Sequence, residues 1–299
     1  MSFKLYFFVF SIALPMMAIS QKNKKKNLPF SSSDASSIAF RSIGPALTSG
    51  RISDIVVDPN DFNHWYVAAA SGGLWTTKNH GITFKPIFDS YASYSIGCVK
   101  MAPSNSNVIW VGTGENNNQR SVSYGDGVYK SLDGGKSFKN MGLKNSEHIG
   151  NIIIHPEDEN TLWVAAYGPL WCEGGDRGVY KTVDGGKTWT QTLSISKNTG
   201  VSEIIIDPSN PSILYAAAHQ RRRHEWTYIG GGPESGLYKS TDGGENWRII
   251  ENGLPKKYMG RIGLAVSPVD PNYVYAIVEA RYGKEGFYRS TNKGESWSK

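Results

Sequence analysis

One eight-residue pattern, written five times, limits what this 299-residue chain can fold into. The most regular copies are SLDGGKSF at 131–138, TVDGGKTW at 182–189 and STDGGENW at 240–247. STNKGESW at 290–297 and the looser TKNHGITF at 77–84 keep the same skeleton, Ser/Thr-x-Asp/Asn-x-Gly-x-x-Trp/Phe. The Asx residues Asn79, Asp133, Asp184, Asp242 and Asn292 lie 54, 51, 58 and 50 residues apart. A repeat of about 50 residues points to a propeller, a solenoid or an array. Each copy reads as a tight turn between two strands. The Asx side chain accepts backbone N–H bonds, the glycine supplies a positive φ, and the aromatic residue opens the next strand. The five Asx residues are therefore predicted to form turns.

The same strand rhythm surrounds every copy. In the third unit the strand-like runs are 149–156, 161–166 and 178–182, then the turn at Asp184, then 189–193. Four short antiparallel strands per unit define a propeller blade, whereas a β-helix needs shorter repeats. The predicted fold is all-β, with five blades at about 51–89, 95–144, 149–194, 201–252 and 261–299. Apolar runs such as Ile152-Ile153-Ile154 and Ile204-Ile205-Ile206 suit innermost strands buried on both faces. The segment 40–43 (Phe-Arg-Ser-Ile) resembles a fourth strand lying ahead of the first blade, as ring-closing strands do. The short tail after Trp297 leaves the fifth blade without its fourth strand. The expectation is part of a larger ring of about seven or more blades, or of a tandem propeller, rather than a ring of five closed by 40–43.

Charge excludes one class of partner. The formal net charge is +6, but residues 1–26 hold five lysines (Lys4, Lys22, Lys24, Lys25, Lys26) and no acid. The remainder carries 27 basic against 26 acidic residues, so no broad nucleic-acid face is expected. Residues 1–20 read as a signal peptide: Lys4, an apolar run over 5–19, and small residues Ala18 and Ser20 before a cut. Export to the periplasm or medium follows, with no stable membrane insertion after cleavage. Residues 21–37, KNKKK followed by SSSDASS, read as a disordered linker, and 38–299 as the propeller. Cys98 lies in an apolar run and is expected in the core, while Cys172 falls in a loop; two cysteines make no disulfide framework.

The turns resemble the Asp-box, or BNR repeat, and the blades resemble the N-terminal propeller of sortilin-type proteins and their exported bacterial relatives. GTGENNNQRS at 112–121 and GGGPESGLYKSTDGG at 230–244 look like one subgroup of those relatives, whose members are often labelled glycosyl hydrolases by similarity. The resemblance covers residues 40–299. It implies a β-propeller that is either a binding module or a glycosidase. Xyloglucanase-type propellers have a catalytic Asp just before a Gly-Gly in the first blade. The matching run here, 66–73, places Ala70 at that position, and alanine moves no proton. Sialidases use an Arg in a Phe/Tyr-Arg-Ile-Pro motif, which 40–45 only echoes with insertions.

Alternating strand direction puts the second-to-third-strand loops on one face and the Asp-box turns on the other. The predicted loops are 114–126, 168–177, 219–235 and 279–285. They carry the candidate ligand-binding residues Glu115, Asn116, Arg120, Tyr124, Asp126, Trp171, Arg221, Arg222, Arg223, His224 and Trp226. Rings beside amides, carboxylates and guanidinium groups suit a peptide, protein or glycan ligand. Glu115 and Asp126 are the weak catalytic candidates, since glycoside hydrolysis needs two carboxyls about 5–9 Å apart. His219 and His224 lack a third ligand, so neither a metal nor a cofactor is expected. The leading expectation is an exported non-catalytic binder; the alternative is a glycoside hydrolase of the Asp-box type, with its catalytic carboxylates in these loops or in blades missing from this chain.

Overall fold

The computed structural model describes residues 50–117 and 122–299. The predicted leader, linker and closing strand at 40–43 lie outside the described residues. The first blade is β1 (Ile52–Asp58), β2 (Asp61–Ala69), β3 (Gly73–Thr77) and β4 (Lys85–Pro86). The second is β5 (Ile96–Ala102), β6 (Asn105–Thr113), β7 (Val128–Ser131) and β8 (Lys139–Gly142). The third is β9 (Ile149–Ile154), β10 (Leu162–Ala166), β11 (Gly178–Thr182) and β12 (Thr190–Leu193). The fourth holds β13 (Thr199–Asp207), β14 (Asn210–Arg223), β15 (Tyr228–Gly230), β16 (Gly236–Ser240) and β17 (Arg248–Ile250). The fifth has β18 (Met259–Val266), β19 (Val274–Ala280) and β20 (Gly286–Ser290), with Ser298 bridged to Arg289 where the other blades place a fourth strand. Strands pair antiparallel in chain order within each blade, with β15 added beside β14. This is the four-stranded blade of a β-propeller. Among the described residues no helix is long and apolar enough to cross a membrane.

The apolar cores lie between blades, not within them. Tyr66 and Leu74 of the first blade bury against Val99, Met101 and Phe138 of the second. Trp110 and Val128 then meet Ile149 and Ile152; Trp163 and Val179 meet Val201 and Ile204; Tyr215 and Leu237 meet Ile262 and Trp297. The first strands β1, β5, β9, β13 and β18 pack side by side, each against the next, around a common axis. Gly97 and Gly112 make the second of these approaches possible: a Cβ at Gly97 would lie 2.4 Å from the Ile149 carbonyl oxygen, and one at Gly112 2.5 Å from the Ile149 methyl.

The Asp-box turns have one geometry. Asp133 Oδ1 accepts the backbone N–H groups of Lys136 (3.0 Å) and Ser137 (2.9 Å), and Oδ2 accepts the Ser137 hydroxyl at 2.6 Å. The Ser131 hydroxyl donates to Asp133 at 2.7 Å and accepts from Gly135 N–H at 2.9 Å. Asp184 and Asp242 repeat these bonds with Thr188 and Asn246 in place of Ser137. In the asparagine copies the direction of one bond reverses: the amides of Asn79 and Asn292 donate to the hydroxyls of Thr83 (2.9 Å) and Ser296 (2.8 Å). An Asx side chain, ionised or neutral, therefore closes the turn.

The turns also join blades. The second-strand aromatic of each of the first four blades runs under the turn of the next. Tyr66 donates to the Gly134 carbonyl at 3.0 Å, Trp163 to Gly243 at 3.0 Å and Tyr215 to Lys293 at 2.9 Å. Gly135, Gly186, Gly244 and Gly294 leave room for these rings. A Cβ at those positions would lie 3.1, 2.6, 2.5 and 3.0 Å from ring atoms of Tyr66, Trp110, Trp163 and Tyr215. A cross-strand lysine covers the outer side of three rings: Lys130 over Trp110 (5.1 Å), Lys181 over Trp163 (5.5 Å) and Lys239 over Tyr215 (5.7 Å). The fifth blade repeats the pair as Tyr275 opposite Arg289. There Tyr275 is only half-buried, stacked on an exposed Phe287.

Two outcomes follow from this clasp. Trp163→Ala should lower unfolding free energy in urea by about 3–5 kcal/mol, the range for deleting a buried large ring. Tyr275→Ala in this 299-residue chain, the same position with no neighbouring turn among the described residues, should cost under about 1 kcal/mol; equal losses would contradict the clasp. The second concerns acid. Hydrogen bonds from Ser137 and Ser131 hold Asp133 down at about 2, those from Asn246 and Ser240 hold Asp242 at about 2, and Asp184 is lowered likewise by Thr188. A carboxylate with a depressed folded pKa contributes stability above its ordinary value near about 4, and that contribution fades as pH falls through the folded value. The melting temperature should decline from pH about 4 to about 2, and the Asp133→Asn/Asp184→Asn double variant should show a shallower decline.

Candidate binding site on the loop face

The sequence places a loop at 219–235, and the structure corrects this. Strand β14 runs on through Arg223 and pairs with β15, Arg221 opposite Gly230, Arg222 opposite Ile229 and Arg223 opposite Tyr228. The three arginines thus lie on a hairpin arm and not in a solvated loop. The alternation is that of a strand, but its buried side is made of charged residues, which hides it from a reading based on apolar period. Aromatic cover replaces aliphatic cover. Arg221 is fully buried, with its guanidinium 3.4 Å from the centre of the Tyr167 ring, and donates to the Asn117 carbonyl at 3.1 Å. Arg223 sits over Tyr228 at 4.3 Å, and Arg222 donates to Asn198 Oδ1 at 2.9 Å.

The neighbouring loop, between β10 and β11, is tied by Arg177. Its guanidinium donates to the carbonyls of Gly174 (2.7 Å), Tyr167 (3.0 Å), Pro169 (2.5 Å) and Cys172 (2.8 Å). This fixes the loop that presents Trp171, which is 53 % exposed. Cys172 is exposed and Cys98 buried, both as free thiols. Burial, with Arg221 and Arg222 nearby, pulls Arg177 down to about 10. His148 and His219 are buried beside the same arginines. His148 is pushed well below its ordinary value by burial, then by Arg221 and Arg177, and His219 to about 3 by burial and Arg221. Both rings are neutral at neutral pH, and His219 bonds through Nδ1 to the Tyr167 hydroxyl. Among the described residues no group of three His, Cys, Asp or Glu gathers as a metal site.

The structure brings part of the predicted set together. Trp171, Arg223, His224 and Trp226 line a cavity of about 370 Å³ at the hairpin tip, with His224 stacked on Trp226 at 5.2 Å. A second cavity of about 630 Å³ shares Thr227 and Tyr228 with the first and extends to Tyr258, Glu279 and Arg281. Trp226 is 81 % exposed and Tyr258 48 %. Tyr228 and Tyr258 are absent from the sequence-derived set. Tyr258 lies in the connection from the fourth to the fifth blade, which the strand alternation also assigns to this face.

Other members go elsewhere. Glu115 is fully buried and paired with Arg51. Asp126 accepts the Tyr129 hydroxyl at 2.5 Å, and burial and that bond push Tyr129 up to about 12. The two weak catalytic candidates are thus tied inside the second blade and its axial edge. Asn116 reaches the axis, where its amide donates to the carbonyls of Gly97 (3.2 Å) and Gly150 (3.0 Å). It caps a polar axial cavity of about 290 Å³ that also holds Asp54, Lys100, Asn151, Glu203 and Arg261. Tyr124 is exposed beside the second blade, and Arg120 lies outside the described residues.

The fold and its repeated turns define an Asp-box β-propeller, resembling the sortilin type and its glycosyl hydrolase relatives. Residues 126–256 match the Sortilin-Vps10 family model, described as "Sortilin, neurotensin receptor 3". A curated relative is a probable oligoxyloglucan-reducing end-specific xyloglucanase of Neosartorya fischeri, 24% identical over 241 residues, which cover 73% of this chain and 26% of that protein. Among solved structures, the GH74 enzyme of Niastella koreensis superposes with TM-score 0.59 at 20% identity, over 83% of this chain and 38% of that one. YCF48 bound to D1 peptide superposes with TM-score 0.53 at 14% identity, over 86% of this chain and 70% of that one. The chain spans about a quarter of the length of the curated xyloglucanase it matches.

Proposed function

We propose that this chain is an exported, non-catalytic β-propeller that binds a glycan across the loop face of its third to fifth blades. The carrying observation is the group of exposed rings, Trp171, Trp226 and Tyr258, around two contiguous cavities on a face otherwise built from polar loops. Large rings held in the open cost hydration free energy, and the flat faces of sugar rings cover such surfaces. Arg177 ties the loop that carries Trp171 and the β14–β15 pairing fixes the arm that carries Trp226 before any ligand arrives, so little ordering entropy is lost on binding. The apolar leader at 1–20 supports export.

The xyloglucanase likeness favours one rival reading, a glycoside hydrolase. That chemistry needs a free carboxyl pair flanking the sugar. Glu115 and Asp126 are engaged by Arg51 and Tyr129, and Ala70 stands at the motif position of a xyloglucanase acid. Titration of xyloglucan oligosaccharides by calorimetry separates the readings. Binding without release of reducing ends is the expected result. Trp226→Ala should weaken binding about tenfold or more while moving the unfolding midpoint by less than about 2 °C, as loss of an exposed stacking ring does. Unchanged affinity in that variant would remove the site, and sustained release of reducing ends would establish the hydrolase.

A further inference from the structure

The hairpin-tip cavity has one arginine in its wall, Arg223, that stacking of neutral sugars does not require. Arg177, Arg221, Arg222 and Arg223 crowd the third and fourth blades on this face. Glu147 is the acid that acts on Arg177 and Arg221. Among the described residues no ion pair involves Arg177, Arg222, Arg223 or Arg281. Arg177 is used up by four carbonyls, but Arg223 is not. Among the described residues its Nε and the Tyr228 hydroxyl, both out of contact with solvent, have no hydrogen-bond partner, and both residues line the cavity. Arg222 Nε, one step back on the arm, is likewise unpartnered. Of the acids that line the two cavities, Glu225 is exposed at the hairpin tip and Glu279 accepts the Arg261 backbone N–H at 3.1 Å.

Buried donors without acceptors, at the wall of an open cavity, point to an acceptor supplied from outside. A guanidinium whose face already rests on a ring offers its edge, which matches a carboxylate in two parallel bonds. Trp226 and Trp171 stand at the mouth of the same cavity, where a pyranose ring would lie. We propose that this cavity is a subsite for an acidic sugar, with the carboxylate of a hexuronate unit paired to Arg223 and its ring against Trp226. The inference rests on the glycan reading and narrows it from sugars in general to uronate-bearing chains.

Calorimetric titration of the whole chain with a tetragalacturonate and, separately, with a neutral xyloglucan oligosaccharide tests it. The uronate should bind more tightly, and added salt should weaken it while leaving the neutral sugar nearly unaffected. Arg223→Gln should weaken uronate binding about tenfold and neutral binding less than about twofold, because a charge-assisted pair is lost only for the acid. Arg223→Lys, which keeps the charge without the fork, should recover part of the loss and guards against a folding defect in the Gln variant. Equal affinity for the two sugars, or equal loss for both in Arg223→Gln, overturns the acidic subsite and leaves the glycan reading standing. Tighter binding of a sulfated oligosaccharide than of the uronate overturns the carboxylate assignment. Binding of an acidic peptide in preference to either sugar, or no binding of any glycan, overturns the glycan reading and this inference with it.

Discussion

The contact on which the rest depends is the clasp between one blade's second-strand ring and the next blade's Asp-box turn. Tyr66, Trp110, Trp163 and Tyr215 fill four such positions, each at a turn glycine that leaves no space for a Cβ. The carboxylate or amide of the Asx residue holds its turn in shape by accepting several local bonds, so the turn presents a rigid carbonyl and a flat glycine surface to the ring. Apolar burial then proceeds inward from the clasp, and every core cluster spans two blades. A blade of this kind has no core of its own. Stability is shared between neighbours, as in other repeat architectures.

That division frees the opposite face. With the blades fixed from the Asp-box side, the connections between second and third strands do not carry the bonds from ring to turn. They instead hold Arg177 over four carbonyls, extend β14 into an arm, and keep Trp171 and Trp226 in the open. The arrangement stores cost in two forms, exposed ring area and arginine donors without acceptors. Both are concentrated at the hairpin tip, and under the proposed function both would be relieved by a ligand with a flat apolar face and an anionic group. Little of this depends on the axial cavity, whose Asp54 and Lys100 satisfy each other at 2.7 Å.

The five blades of this chain, their strand order and the identity of the two faces were legible in the residues, because each rests on a local signal repeated at fixed spacing. Cys98 was also legible as core, since it sits in an apolar first strand. The clasp was not, although its ring and its glycine are both visible, because the partners lie 68 to 80 residues apart in different blades. The hairpin arm escaped for a different reason. Its strand period is carried by His219, Arg221 and Arg223, and polar residues on a buried side look like a loop until Tyr167 and Tyr228 are seen to cover the two arginines. Glu115 shows the reverse error: an acid in a Gly-Glu-Asn-Asn run reads as exposed, but Arg51, 64 residues away, draws it inside.

The central claim is that one face holds the propeller together and the other takes the ligand. Backbone hydrogen exchange measured with and without a saturating acidic oligosaccharide tests it most directly. The account predicts slowed exchange in the β14–β15 arm and around Tyr258, with the turns at 131–138, 182–189 and 240–247 unchanged. Slowed exchange at the Asp-box turns with none at the hairpin would contradict it.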